Sequence, residues 1–459
     1  MWVNPKELSR LSLPAQATGV TAAAAAVALV LLIPAQAQSA PKTDAGQPVE
    51  TVNAIALSVV NDIPVAKVKQ IVRSDHFQVD QEGRIRSVEK KNAPAAAPSS
   101  ALAVPPGVDV FKLHSRQGSN RTIYLDFTGH SVEGTAWNGG ARIDAPPYDS
   151  DGNPSSYNDA EREAIYQAFL AVSEDYRSFD VDVTTEETIE DKITRSGSAD
   201  QVYGTRAVIT PKDVTNCGCG GQAYIGTFDE ANRHANYQPA WAYATSGYDG
   251  KSIAEIVSHE TGHNLGLGHD GQTTGTEYYG GHTNWAPIMG VGYGQPVTQW
   301  SKGEYTNANN TEDDLSVIPA NGAPTLADDF PNDPASAASL TDNTPVTGII
   351  STDADVDVFA IQHAGGTLTA KALPAVFAPD LDIKLTVRDA SGTVVATVDP
   401  PVRRVNTNEA SGLDASFSQS LGAGRYTFQV EGTGAGNPAT NGYSGYATLG
   451  QFTLTVDAG

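Results

Sequence analysis

Two different periods of apolar and polar positions run along this chain, and the change falls near residue 345. From about 108 to 318 strand-like and helix-like stretches are mixed. "RTIYLDFTGH" alternates as a strand does, and "FDVDVTTEE" and "TRAVITP" are strand-like. "GGQAYIGTF" is a third such segment, punctuated by glycine. "SYNDAEREAIYQAFLAVSEDY" carries a helical stripe at Ile165, Phe169, Val172 and Tyr176, with polar residues at its start. "DGKSIAEIVSHETGHNLG" repeats that pattern, with Ile253, Ile256 and Val257 on one face and glycines at its end. After 345 the helical stripes vanish. "LDIKLTVRD", "TVVATV", "GRYTFQVEG" and "QFTLTVDA" alternate, with Ser391-Gly392 as a hairpin turn between the first two. The pattern predicts an α+β region followed by an all-β sandwich of antiparallel strands.

The flanks read differently. "MWVNPKELSR" supplies Lys6 and Arg10, an apolar run follows, and "AQAQSA" offers small residues for cleavage after Ala37. This order is that of a secretory signal peptide, and the run is shorter than the roughly 20 residues that cross a bilayer. The expectation is a secreted, extracellular protein with no membrane attachment after cleavage. Residues 38–107 read as a leader: a short helix in "NDIPVAKVKQIVRSD" with Val65, Val68, Ile71 and Val72 on one side, a hairpin turning near Glu82-Gly83, then the Pro/Ala/Ser-rich "KNAPAAAPSSALAVPPG". Five prolines from 319 to 345 argue for a second linker. The expected divisions are 1–37 signal, 38–107 leader and linker, 108–318 α+β domain, 319–344 linker and 345–459 sandwich.

Length and charge narrow the classes. With 459 residues the chain is long enough for two cores plus tails. A net charge of -24 sets it against binding nucleic acid through phosphates, and reads first as solubility. The two cysteines, Cys217 and Cys219, are too few for a four-cysteine zinc site. A disulfide across one glycine and two free thiols both stand as readings. Composition says nothing of oligomeric state.

The chemistry concentrates in "HETGHNLGLGHD", residues 259–270. His259 and His263 are four apart and share a helix face, so two imidazoles can grip one metal ion. Glu260 lies on the adjacent flank. Gly266 can leave helical geometry with a positive φ at little cost, and the chain can then return His269 as a third ligand. Three neutral nitrogens and an open fourth position describe catalytic zinc. Zinc lowers the pKa of a bound water from about 16 to about 7. A solvent-facing helix with chance histidines is the bland alternative. The breaker glycine and third histidine weigh against it.

These residues resemble the metzincin zinc metallopeptidases, and Asn264-Leu265-Gly266 with Asp270 after the third histidine is similar to their adamalysin/reprolysin branch. "NWAPIMGVGYG" offers Met289 as the Met-turn methionine. By that resemblance His259, His263 and His269 bind Zn2+ and Glu260 is the general base. Met289 would form a floor under the metal, and Asp270 would be a structural acceptor. "GGQAYIGTF" would be the edge strand that pairs with an extended substrate. Some metzincins place a tyrosine two residues after the methionine. Here Val291 stands there, and Tyr293 either reaches the site as a transition-state or extra ligand, or packs. Many relatives block the zinc with a leader cysteine, and this leader has none. Asp75, His76 or Asp80 could cap the metal instead, with nothing to favour them over surface residues.

The C-terminal stretch resembles the bacterial pre-peptidase C-terminal domain, through "STDADVDVFAI" and "APDLDIKLTVRDASG". Asp353, Asp355, Asp357, Asp380 and Asp382 offer hard oxygens that suit Ca2+, against the reading of a solvated acidic strand face. His282 and Trp285 line the cleft or pack in a loop. His114, His130 and His234 read as ordinary polar residues.

The expectation is a secreted zinc endopeptidase acting on protein or peptide substrates, in which Glu260 takes a proton from a zinc-activated water. Two alternatives remain: a zinc hydrolase of non-peptide amides, and a secreted adhesin with a zinc-stabilised domain. Glu260 weighs against the adhesin, because a structural site has no use for that carboxylate. Substrate preference is not readable from the pattern.

Overall fold

The computed structural model describes residues 51–72, 74, 76–80, 82–91 and 102–459. The expected signal peptide, and the linker over 92–101, lie outside them. None of the helices among the described residues is long and apolar enough to cross a membrane.

The described residues through Arg86 form one compact unit. It holds the helices Thr51–Asn61 and Val65–Ile71 and the strands Phe77–Val79 and Ile85–Ser87, which pair with each other. The first helix escaped the sequence reading. Its Asn61 side chain bonds the carbonyls of Leu57 and Gly83 and accepts from Ile85 N, fastening helix to hairpin.

Ser87–Gly459 form a second unit. Its first part is built on a five-stranded sheet in the order Asp182–Thr184, Arg121–Asp126, Tyr203–Thr210, Ala240–Tyr243, Gly221–Gln222. The first four are parallel and the last is an antiparallel edge. Ala240–Tyr243 is buried at every position, so it lacks the alternation by which strands are found. "GGQAYIGTF", read as one strand, is a strand only at Gly221–Gln222. Past Ala223 the chain turns to bond the end of the metal-motif helix, with Gly226 N on His263 O and Thr227 N on Asn264 O.

Two long helices pack on this sheet through Ile165, Phe169, Val172, Ile253 and Val257. Asp159–Asp175 starts at Asn158, whose side chain accepts from Glu161 N while the Glu161 side chain returns to Asn158 N. Gly250–Asn264 starts at Asp249, which accepts from Ser252 N. Tyr176 Oη donates to Ser258 O at 3.0 Å and ties the second helix to the end of the first.

From Ala338 onward stand two mainly antiparallel sheets, the first strand falling inside the stretch 319–344 read as a linker. One orders Ala338–Ser339, Val356–His363, Gly424–Gly432, Ile383–Arg388, Val394–Val398, and the other Val346–Ile350, Gly450–Asp457, Gly366–Pro374, Ala415–Leu421. Phe359, Leu385 and Phe428 from the first share one core with Leu368, Phe417 and Leu454 from the second. Phe377, Ala378 and Tyr446 of this region join the core of the preceding one. The stretch read as a linker is ordered against its neighbours: Asp180 N donates to Pro324 O and Leu326 N to Ser178 O.

Candidate metal centre

The helix Gly250–Asn264 is capped by Leu265, the residue before Gly266. Gly266 N donates to His263 O, Leu267 N reaches back to Gly262 O, and Gly266 has φ +92°. This is the Schellman reversal that glycine favours. It does two things for the site: it turns the chain so that His269 faces the helix, and it aims Leu267 O at His263 Nδ1, 2.9 Å away.

His259, His263 and His269 are buried together, with ring centroids 4.8, 5.4 and 4.9 Å apart. Each Nδ1 is held at 2.9 Å, His259 by Ile288 O, His263 by Leu267 O and His269 by Glu277 Oε1. Those three partners are acceptors, so each Nδ1 carries the proton and each Nε2 presents a lone pair. His263 Nε2 and His269 Nε2 face one another at 3.2 Å, and His259 Nε2 has no hydrogen-bond partner. Lone pairs directed at one point repel unless a cation lies between them. The donor set is therefore the one a zinc ion takes.

A fourth group converges there that the sequence pattern did not reveal. Glu89 Oε1 lies 2.9 Å from His269 Nε2 and 3.2 Å from His263 Nε2, and its Oε2 is 3.5 Å from His259 Nε2. Glu89 and the three histidines could hold one metal ion. Burial pulls His263 down to about 4. Burial pulls His269 the same way, but the carboxylates of Glu89 and Glu277 outweigh it and lift it to about 9, so its Nε2 presents a lone pair only where a cation takes the proton's place. Of the capping residues considered from sequence, Asp75 lies outside the described residues. Asp80 instead fastens the hairpin turn, accepting from Glu82 N and Arg84 N. Glu89 sits in "SVEKKN", where one acidic residue among lysines carries no metal-binding pattern.

Glu260 is buried beside the histidines. Its Oε2 accepts from Ser87 Oγ at 3.0 Å, and its Oε1 has no partner. Burial first, and then the charge of Glu89, push its carboxyl well above the usual range. A methyl group built on Gly221 of the edge strand would fall 2.0 Å from Glu260 Oε1, so only a glycine lets strand and carboxylate meet here. Met289 is fully buried and presses on the same helix: a methyl built on Gly262 would lie 2.6 Å from its Sδ. Asp270 is buried, with its N–H on Met289 O at 2.8 Å, and burial followed by the charge of Glu312 raises it to about 7.

Tyr293 packs edge-on against Tyr248 and lines a cleft with Glu255, Ile256, Val291 and Glu260. The tyrosine stacked on the histidines is Tyr278, 4.5 Å from His269 and 6.1 Å from His259 between centroids. Burial, and after it the charge of Glu89, hold its phenol protonated. His282 and Trp285 belong to loop packing: His282 bonds Tyr279 Oη and Gly442 O, and Trp285 packs with Tyr305 and Tyr443. His114 pairs with Asp182 and Glu186, and His234 bonds Phe228 O. Cys217 and Cys219 are joined in a disulfide beside the edge strand.

No curated protein matches the chain. Among solved structures, the pre-peptidase C-terminal domain of a Bacillus anthracis collagenase is 16% identical, covering 28% of this chain and 100% of that one with a TM-score of 0.18. PliG, a periplasmic inhibitor of g-type lysozyme from Aeromonas hydrophila, is 13% identical over 26% of this chain and 94% of that one, with a TM-score of 0.19. At these scores neither likeness bears on what the region does. The family model described as metallo-peptidase family M12B, reprolysin-like, matches residues 166–270. That stretch carries most of the first long helix, the edge strand, Glu260 and all three histidines, and over it the chain matches the reprolysin-like metallopeptidases its motif resembles.

Proposed function

We propose that this chain is a secreted zinc endopeptidase, with a catalytic domain of metzincin fold over about 108–318 and a pre-peptidase C-terminal-like β-sandwich over about 345–459. The observation that carries the reading is the convergence of three Nε2 lone pairs, each fixed by an acceptor on its Nδ1. His259, His263 and His269 would hold zinc, which supplies a Lewis acid and an acidified water. Glu260 would be the general base, holding a proton from the attacking water and delivering it to the leaving amine. Its free Oε1, facing the edge strand at Gly221, is the atom placed to do so. The backbone of Gly220–Ala223 aligns an extended peptide by strand pairing. Met289 and Asp270 brace the helix and the third histidine from below, and Tyr293 shapes the neighbouring cleft.

Incubation with casein, with and without a zinc chelator, tests this function. Chelator-sensitive cleavage is the expected result. Loss of hydrolysis toward peptides alongside hydrolysis of small amides would favour the non-peptide alternative. Bound metal without any hydrolysis would favour the adhesin.

A calcium site in the C-terminal region is part of the proposal. Asp357 is fully buried and neither carboxylate oxygen has a hydrogen-bond partner, while Asp328 and Asp329 place ligand atoms beside it. Asp355 adds negative charge nearby. Of the other aspartates considered from sequence, Asp353 is exposed and Asp382 accepts from Tyr443 Oη. Burial chiefly, then its acidic neighbours, lift Asp357 from 3.8 to about 9. The folded chain therefore holds a proton that the unfolded chain releases, and stability falls as pH rises between those two values. Calcium replaces that proton. At pH 8, about 5 mM calcium is expected to raise Tm by a few degrees, given the weak affinity usual for extracellular sites. Asp357→Asn should raise Tm in calcium-free buffer and abolish the response. A parent melt that does not respond to calcium, whether or not it responds to magnesium, would sink the site.

A further inference from the structure

We propose that Ser87–Lys90 is a built-in inhibitor that fills the cleft, with Glu89 as the metal's fourth ligand, so that the chain is latent until this segment leaves. The proposal rests on the zinc reading above. Three sets of contacts support it, each blocking a different requirement of catalysis.

The first is the strand groove. Ser87 N donates to Ala223 O at 2.8 Å, Glu89 N to Gly221 O at 3.0 Å, and Gly220 N to Glu89 O at 2.8 Å, while Ala223 N donates to Ser87 Oγ at 2.9 Å. Lys90 continues the antiparallel pairing opposite Cys219. These are the backbone groups of the edge strand that an extended substrate would need. The second is the coordination shell. The Glu89 carboxylate reaches all three histidines, and a four-ligand site has no place for water or a scissile carbonyl. The third is the general base, whose Oε2 accepts from Ser87 Oγ. One short segment thus covers groove, metal and base together.

Such a contact has a physical reason to be reversible. Glu260 and Glu89 are both buried carboxylates, and the segment is held to the groove by hydrogen bonds alone. Glu89 is compensated by the histidines and would be by a cation they bind, not by a covalent tie. The segment is followed by the Pro/Ala/Ser-rich stretch from Asn92, a composition open to proteolytic cutting. While joined to the chain, the inhibitor acts at an effective concentration of about millimolar. After a cut it can be diluted away.

The test uses the full chain reconstituted with zinc and compares it with Glu89→Ala and the isosteric Glu89→Gln. Metal content after dialysis, affinity for a small peptidyl hydroxamate by calorimetry, and the visible spectrum of the cobalt-substituted forms are measured beside peptide turnover. Both variants should keep one metal and bind the hydroxamate about 100-fold more tightly than the parent, the factor expected when a tethered competitor is removed. Their cobalt spectra should shift from the parent's, since one oxygen ligand is exchanged for water. A synthetic peptide of residues 84–91, RIRSVEKK, should inhibit the variants, and its Glu→Gln form should not. If the variants hold metal but bind hydroxamate no better than the parent, the latch is overturned and the zinc reading survives. If neither parent nor variants retain metal, both fail together.

Discussion

Glu260→Gln is expected to lower peptide turnover by about 10²–10⁴-fold, the range a positioned general base contributes, with metal content unchanged. The comparison is best made with Glu89→Ala in both chains, so that the leader does not mask the difference. Glutamine keeps the shape of the side chain and can still accept from Ser87, but it cannot take a proton. The three histidines lie on other positions and keep their Nδ1 partners, so the metal should stay. Stability separates this reading from a merely structural one. Glu260 is buried, with one oxygen unpartnered and Glu89 nearby. Removing its charge should leave Tm unchanged or higher, as when a residue is kept for function against stability. Near-parent kcat/KM in the glutamine variant would refute the base assignment. A large fall in Tm with lost metal would make Glu260 a structural residue.

How much of this site could be read from the chain follows from how local its determinants are. The pair His259 and His263, the base between them and the return to His269 are fixed by one helix and one glycine reversal. All of that is short-range geometry, and the spacing displays it. The edge strand was placed correctly near Gly221 but drawn too long, because its later residues bond the helix end and not a neighbouring strand. Ala240–Tyr243 gave no signal, since a strand buried on both faces does not alternate. Glu89 and Tyr278 reach the histidines only through tertiary contact. Glu89 is 170 residues from His259, and no periodicity reports such a meeting. The same holds for Asp328 and Asp329, which meet Asp357 from a stretch whose prolines suggested only a linker. Prolines exclude helix and ladder positions, but they do not exclude docking on a neighbour.

Gly266→Val is expected to empty the metal site without touching a ligand. At φ +92° a β-branched residue is strongly disfavoured, with a cost of about 1–3 kcal/mol for the backbone alone. A Cβ there would also fall 2.8–2.9 Å from the side chain of Asn321, which is itself fastened to Val317 O. Relief requires the reversal to open. Leu267 O then leaves His263 Nδ1, and His269 loses its approach to the other two histidines. Loss of an orienting partner alone costs about 10–100-fold in metal affinity, and displacement of a ligand adds to it. Zinc affinity, read by competition with a chromogenic chelator, should therefore fall toward that of His269→Ala. Asn321→Ala on its own should bind zinc like the parent. Combined with Gly266→Val it removes the collision but not the backbone strain, so the double variant should remain defective. Recovery in the double variant would assign the effect to crowding by Asn321. A valine variant that holds zinc as tightly as the parent would show that the reversal tolerates a side chain, and that His269 is positioned by Glu277 and Tyr278 instead.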